Sequence, residues 1–176
     1  LLALMPTGAG KSLTYQFLAT LCEGNDLILV VSPLIALMQD QTQKARDHQI
    51  DATFINSSIS ADQKHLRMEQ IGQGKYTLVF VAPERFRKNE FWQCLSRRKV
   101  KAFVVDEAHC ISLWGHDFRP DFAKLQNFRL KLGNPPVLAL TATATVDVQK
   151  DIVRQFQLDF EKNLILGGLE RPELSL

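Results

Sequence analysis

Met5-Pro6-Thr7-Gly8-Ala9-Gly10-Lys11-Ser12 follows the apolar, strand-like run Leu1–Met5 and opens an amphipathic stretch. A strand, a turn of small residues and a helix start together make a phosphate cradle. The small residues Thr7, Gly8, Ala9 and Gly10 let the backbone approach closely, so that several N–H groups converge on one anion. The helix N-terminus adds a favourable dipole. In such a loop Lys11 reaches the outer phosphates and the Ser12 hydroxyl reaches Mg²⁺. Met5 occupies a slot that is Gly in the simplest form of the pattern. The alternative is a glycine-rich turn with no ligand.

Outward from this loop, short apolar runs alternate with helical patterns. The runs are Leu1–Met5, Leu27–Ser32, Ala52–Ile55, Thr77–Val81, Ala102–Val105, Val137–Leu140 and Leu164–Leu166. They are rich in Val, Ile, Leu and Phe and nearly continuous, which predicts strands buried on both faces. Between them Leu13, Phe17 and Leu21 recur every four residues, as do Val148, Ile152 and Phe156. Phe122, Leu125, Phe128 and Leu132 form a third stripe. All three are expected to pack into the core. Ser60 with Gln63 reads as a capping box opening a helix over Ala61–Ile71. The fold class expected is α/β, a three-layer α/β/α domain with a mostly parallel sheet. Ligands then belong at the carboxyl ends of the strands.

The run Ala102-Phe103-Val104-Val105 leads into Asp106-Glu107-Ala108-His109. Two carboxylates ending a buried strand are expensive without partners. Beside a phosphate loop they have a role, with Asp106 holding Mg²⁺ and Glu107 orienting the attacking water. The alternative is a solvated acidic turn. His109 alone would be unremarked; its place after Asp-Glu-Ala gives it weight.

Composition bounds the rest. With 176 residues, 45% hydrophobic and 23% charged, the chain suits one globular domain. A net charge of +2 is too small to argue nucleic-acid binding by itself. No apolar run approaches the roughly 20 residues of a membrane span. Leu1–Met5 is too short for a signal sequence before Pro6-Thr7-Gly8 interrupts it. Cys22, Cys94 and Cys110 lie far apart and suit reduced thiols in an intracellular protein. Arg97-Arg98-Lys99 reads as a solvated surface.

Taken together, the ordered motifs resemble those of superfamily 2 helicases, and specifically the RecQ family. The resemblance covers essentially all of the chain. Residues 5–12 resemble motif I, Val-Val-Ser-Pro-Leu-Ile-Ala-Leu-Met-Gln-Asp-Gln at 30–41 motif Ia, and Val81-Ala82-Pro83-Glu84-Arg85 motif Ib. Asp106 to His109 is motif II, and Leu140-Thr141-Ala142-Thr143-Ala144 resembles motif III. The most diagnostic stretch is Cys110-Ile111-Ser112-Leu113-Trp114-Gly115-His116-Asp117-Phe118-Arg119-Pro120, similar to the aromatic-rich loop of RecQ. Leu113 departs from the family's usual Gln.

The resemblance implies a RecA-like P-loop domain that binds ATP with Mg²⁺ and works on single-stranded and duplex DNA. It implies 3′ to 5′ movement and a role in DNA repair or recombination. Lys11, Asp106, Glu107 and His109 would form the catalytic set. Ser32, Pro33, Gln39, Gln41 and Arg85 would track the strand. Trp114, Phe118 and Arg119 would sense it, and Thr141 and Thr143 would link it to the ATP site through His109. Structural alternatives stand beside these roles. The aromatic loop could be a hydrophobic plug, with Phe118 the residue most apt to be core. The two threonines could cap the next helix, and Pro33 could be a first-turn proline. The family also has an adenine-contact segment upstream and a second RecA-like lobe with an arginine finger, worth about 10³–10⁵-fold in related hydrolases. The chain is expected to be a first lobe clipped at its N-terminus. Residues 167–176, with Arg171-Pro172-Glu173-Leu174, would start the linker onward, and the lobe alone would hydrolyse ATP poorly. Rival readings are an RNA helicase of the same superfamily and a nucleotide-gated module that does not unwind. A transporter-type ATPase lacks support, since no Leu-Ser-Gly-Gly-Gln segment is present.

Overall fold

A computed structural model describes residues 1–167. Among these, seven strands form one sheet: β1 (Leu2–Leu4), β2 (Asp26–Val31), β3 (Ala52–Ile55), β4 (Leu78–Val81), β5 (Lys99–Val105), β6 (Val137–Thr141) and β7 (Leu164–Leu166). The order is β3-β4-β2-β5-β6-β1-β7, and every pairing is parallel. The helices are α1 (Lys11–Thr20), α2 (Ile35–Asp47), α3 (Ala61–Gly72), α4 (Asn89–Leu95), α5 (Leu125–Lys131) and α6 (Val146–Phe156). Short 3₁₀ turns follow β4 and β5. Parallel neighbours need crossovers, and right-handed crossovers fix the helix faces. The step from β2 out to β3 and the step back to β4 run in opposite directions, so α2 and α3 cover opposite faces of the sheet.

All seven strands lie where the apolar runs put them. β5 begins earlier than expected, at Lys99, because it extends beyond its buried half to an exposed start. Leu27 to Val31 are fully buried, as a central strand between two helical layers must be. β7 is the exception: Ile165 and Leu166 are exposed, because it is an edge strand. The capping box is present: Ser60 Oγ accepts from Gln63 N at 3.2 Å, and Gln63 Oε1 accepts from Ser60 N at 3.3 Å. In α6 the Thr145 hydroxyl accepts from Val148 N, and Val148, Ile152 and Phe156 face the core. Burying each such side chain contributes about 1.5–3 kcal/mol. Phe122 and Leu125 are buried too, with Phe128 and Leu132 packed against the core.

Three expectations are corrected. The stripe of Leu13, Phe17 and Leu21 faces outward, at 57%, 64% and 50% exposure. A second apolar stripe, Tyr15, Leu18 and Ala19 on the same helix with Cys22 just beyond it, makes the packing contacts instead. Period alone cannot choose between two stripes; the phosphate loop sets the helix rotation. Arg98 is buried, not solvated, and donates to the carbonyls of Asn25, Ile71, Asp26 and Tyr76 at 2.7–3.1 Å. It ties together the segments that enter β2, β4 and β5. Pro33 lies outside α2, one residue before the N-cap Leu34, so it is not a first-turn proline. The expected linker lies, from residue 168 onward, outside the described residues.

Candidate active site

The strand order brings the motifs together. Across β2-β5-β6-β1, the carboxyl ends of four neighbouring strands lie in a row, with Leu4 paired to Thr141 and Val31 to Val105. The chain leaving each end therefore opens on one shared edge. Asp106 N donates to Val31 O at 2.8 Å and Met5 N to Thr141 O at 3.0 Å, which fixes the start of two of these loops.

Residues 6–10 connect β1 to α1. Gly8 and Gly10 both sit at φ +86°, where a Cβ is disfavoured, and Gly10 is the N-cap of α1. This turn leaves the first backbone N–H groups of α1 without a side-chain cap and facing the cavity. Lys11 Nζ donates to Met5 O at 3.1 Å. The residue in the departing slot thus holds the lysine through its backbone, which no side chain alters. A cavity of about 410 Å³ is lined by Thr7, Gly8, Gly10, Lys11 and Ser12 on one side and by Asp106 and Glu107 on the other.

Asp106 is one of the two carboxyls that line this cavity. Burial, with the Glu107 charge beside it, pushes its pKa up to about 6. Glu107 adopts a left-handed backbone, φ 50°, and its N–H donates to Asp106 Oδ1 at 3.1 Å. A non-glycine residue there is strained by about 1 kcal/mol or more. That turn swings the Glu107 carboxylate back over the strand end, where its Oε2 lies 3.3 Å from His109 Nδ1. His109 is buried, and burial holds its pKa below the ordinary value, so the ring is neutral at pH 7. Its Nδ1 is also 2.9 Å from Thr141 Oγ1. The Thr141 hydroxyl donates its proton to Thr143 O at 3.0 Å, so it must accept from His109. The neutral ring therefore carries its proton on Nδ1, shared between Thr141 and Glu107.

The segment after His109 folds back on it. His116 stacks on His109 at 4.5 Å with rings 18° apart. Gly115 packs so tightly that a Cβ would lie 2.5 Å from His109 O. Arg119 donates to Asp117 Oδ2 through Nε and Nη2, and through Nη1 to Pro33 O at 2.9 Å. Ser112 Oγ donates to Asp151 of α6 at 2.6 Å and accepts from Trp114 N at 3.2 Å. Trp114 itself is 79% exposed. His109, Cys110 and Asp117 offer three metal-capable atoms within 4.8 Å of one another. The Asp117 carboxylate is already paired with Arg119, and burial pushes the Cys110 thiol up to about 12. That charge balance is complete without an ion.

A DEAD/DEAH box helicase family model matches residues 1–152. The chain belongs to the DEAD/DEAH box helicase family. It is 42% identical to ATP-dependent DNA helicase RecQ of Haemophilus influenzae, over 98% of this chain and 28% of that protein. It is 41% identical to RecQ of Bacillus subtilis, over 98% of this chain and 29% of that protein, and 42% identical to the yeast ATP-dependent helicase SGS1 over 88% and 11%. The likeness to RecQ helicases thus runs across nearly the whole chain, which spans less than a third of these relatives. Among solved structures, the Hef helicase domain of Pyrococcus furiosus superposes with a TM-score of 0.68 at 17% identity, over 97% of this chain and 35% of that one. The fold is that of a helicase RecA-like domain.

The residues expected to track or sense a strand do not all gather in one place. Ser32 and Gln41 line the cavity that holds Lys11 and Asp106; Gln41 accepts from Tyr15 at 3.3 Å and Ser32 Oγ from Leu34 N. Pro33 is buried and meets the aromatic loop through Arg119. Gln39 is exposed in a separate cleft beyond α2. Arg85, in the turn after β4, has a buried Nε without a hydrogen-bond partner. Phe118 is half-buried, and Thr143 contributes its backbone carbonyl, with an exposed side chain. Neither Thr141 nor Thr143 caps α6; Thr145 does. Sequence reading passed over His116, Gly115 and Asp117, although all lie inside the quoted aromatic loop. It also passed over Lys44, which lines the main cavity and pairs with Asp40 at 2.8 Å.

Proposed function

We propose that this chain is the ATP-binding motor lobe of a RecQ-like DNA helicase, coupling ATP hydrolysis to movement along single-stranded DNA and unwinding of duplex. One observation carries the reading. Contacts lead from Glu107 through His109 to His116, and the residues that follow it along the chain, Asp117 and Arg119, bond each other and Pro33 of motif Ia. A strand that moved the exposed loop would move the groups around the phosphate cavity.

The residues fit a divalent cation. A carboxyl held up to about 6 by burial stands in a cavity with the Ser12 side chain, and a cation there would restore its charge. When bound, Mg²⁺ would neutralise charge on the outer phosphates. Lys11 would bind the transferring phosphoryl group. Glu107, held by its strained turn, would orient a water for attack and accept its proton. His109, neutral and donating from Nδ1, would keep Glu107 in register with Thr141. A second RecA-like lobe in the same full-length chain would supply the remaining cationic group. Movement 3′ to 5′, action in repair or recombination and an intracellular location belong to this reading, supported only by the resemblance of the motifs to the RecQ family. Among the described residues no helix is long and apolar enough to cross a membrane.

The test is ATP turnover of the full-length protein with single-stranded DNA, single-stranded RNA or neither. Stimulation by DNA well above that by RNA is expected. Equal stimulation by RNA would favour an RNA helicase, and no stimulation by either would favour a nucleotide-gated module.

A further inference from the structure

The sheet has a free edge at β3, and two arginines reach over it from opposite faces. Arg46 of α2 donates Nε to Ala52 O at 3.0 Å, and Arg67 of α3 donates Nη1 to Phe54 O at 3.0 Å. Ala52 and Phe54 are two residues apart on an edge strand, so both carbonyls point away from β4. Arg67 also lies over the Phe54 ring, 4.3 Å from its centre. Each guanidinium has five N–H donors and commits one of them to β3, which leaves four on each for a ligand.

Neither arginine is in an ion pair among the described residues. Between them lies a cleft of about 400 Å³, lined also by Gln39, Ser58 and Gln63 and by no acidic side chain. Burial pushes the Arg67 guanidinium below its usual range, and the charge of Arg46 lowers it further. Two like charges held together without a carboxylate call for an anion. Arginine forks match phosphate oxygens in a bidentate manner, and amide and hydroxyl groups serve the same oxygens. Polar side chains dominate the cleft, with Phe54 and Ile59 its apolar members, unlike the apolar centre of a protein interface. Gln39 places it on the helix that follows Ser32 and Pro33, so it continues the surface where motif Ia begins.

We propose that this cleft is a backbone-phosphate subsite for the DNA strand, in which Arg46 and Arg67 each engage a phosphate beyond motif Ia. The inference rests on the strand-binding reading above. It adds a sequence-independent grip outside the motifs, far along the sheet from the phosphate loop.

The experiment measures affinity of the full-length protein for a labelled oligo-dT by anisotropy across a series of salt concentrations. Single strands lose about 0.7 in the slope of log K against log salt per phosphate contact. The Arg46→Gln, Arg67→Gln double variant should therefore lower the slope by about 1.4, and each single variant by about 0.7. Basal ATP turnover should not change. Arg46→Lys, Arg67→Lys should restore the slope, since it keeps both charges while giving up the planar fork. An unchanged slope in the glutamine variant, with a lower melting temperature, would overturn the subsite and leave the arginines as a cover for an edge strand. Loss of slope in both double variants would also overturn it, since the charge would not be the cause. If the wild-type protein bound no oligo-dT, the strand-binding reading itself would fall, and the subsite with it.

Discussion

Asp106 offers a test in which stability and function move in opposite directions. Its carboxyl titrates near 6 in the folded chain against an ordinary 3.8, through burial and the neighbouring Glu107 charge. The folded state therefore holds this proton more tightly than the unfolded state. The associated stability is complete below about pH 3.8 and is lost as pH rises through about 6. At about 1.4 kcal/mol per unit, the full shift corresponds to about 3 kcal/mol against the folded state at neutral pH. The carboxyl lines an open cavity, and screening there reduces the realised amount to about 1–2 kcal/mol. Asp106→Asn keeps the shape, and its carbonyl oxygen still accepts from Glu107 N. Without Mg²⁺ or nucleotide, the variant should melt about 2–8 °C above the parent at pH 7.5. That gap should narrow steadily as pH falls from 6 towards 4. With Mg²⁺ and nucleotide the order should reverse, because the carboxylate is then compensated and the amide is not. Calorimetric melts at pH 4.5, 6 and 7.5, with and without ligand, supply the comparison. A variant less stable than the parent at pH 7.5, or a gap independent of pH, would refute the view that Asp106 is a buried charge awaiting a cation.

Other consequences are equally direct. Lys11→Ala should abolish ATP turnover of the full-length protein while single-stranded DNA binding survives, and Glu107→Gln should stop hydrolysis while nucleotide binding persists; turnover and nucleotide titrations separate the two. Gly115→Ala places a methyl 2.5 Å from His109 O, so the loop must shift; DNA-stimulated turnover should fall at least about tenfold with little change in melting temperature. Arg98→Met would remove four hydrogen bonds to backbone carbonyls, of which Asn25 O and Ile71 O keep donors from Lys99 N and Gly74 N, and should destabilise the chain by about 2–3 kcal/mol in a denaturant titration, with the folded variant's nucleotide affinity unchanged.

Much of this was legible in the sequence because two rules are local. Strands buried on both faces must be apolar throughout, so the runs of the inner sheet marked strands; β7 is apolar as well, although two of its three residues are exposed at the edge. A phosphate turn needs glycines at positive φ, so Gly8 and Gly10 marked the loop. What stayed hidden depends on relations between distant segments. The α1 stripe points the other way because Leu13-Phe17-Leu21 and Tyr15-Leu18-Ala19-Cys22 both follow a helical period, and the phosphate loop that starts the helix sets which of them meets the sheet. Arg98 looked like surface because its partners are carbonyls supplied by β2, β4 and α3 neighbourhoods, and carbonyls leave no trace in a sequence. His116 was passed over because stacking on His109 requires the loop to turn back at Gly115. Gln41 was grouped with the strand-tracking residues by its motif, whereas the first turns of α2 carry it to the phosphate cavity.

The exposed aromatic loop is expected to report a bound strand to the groups around the phosphate cavity. Trp114 is 79% exposed, whereas Arg119 joins the loop to Pro33. The decisive measurement is ATP turnover of the full-length protein against single-stranded DNA concentration for Trp114→Ala and Arg119→Ala. The account predicts near-normal basal turnover, DNA-stimulated turnover lowered by at least about tenfold, and a smaller loss of DNA affinity, since stacking is worth about 1–3 kcal/mol per base. Equal loss of basal and stimulated turnover, or stimulation that survives both substitutions, would contradict it.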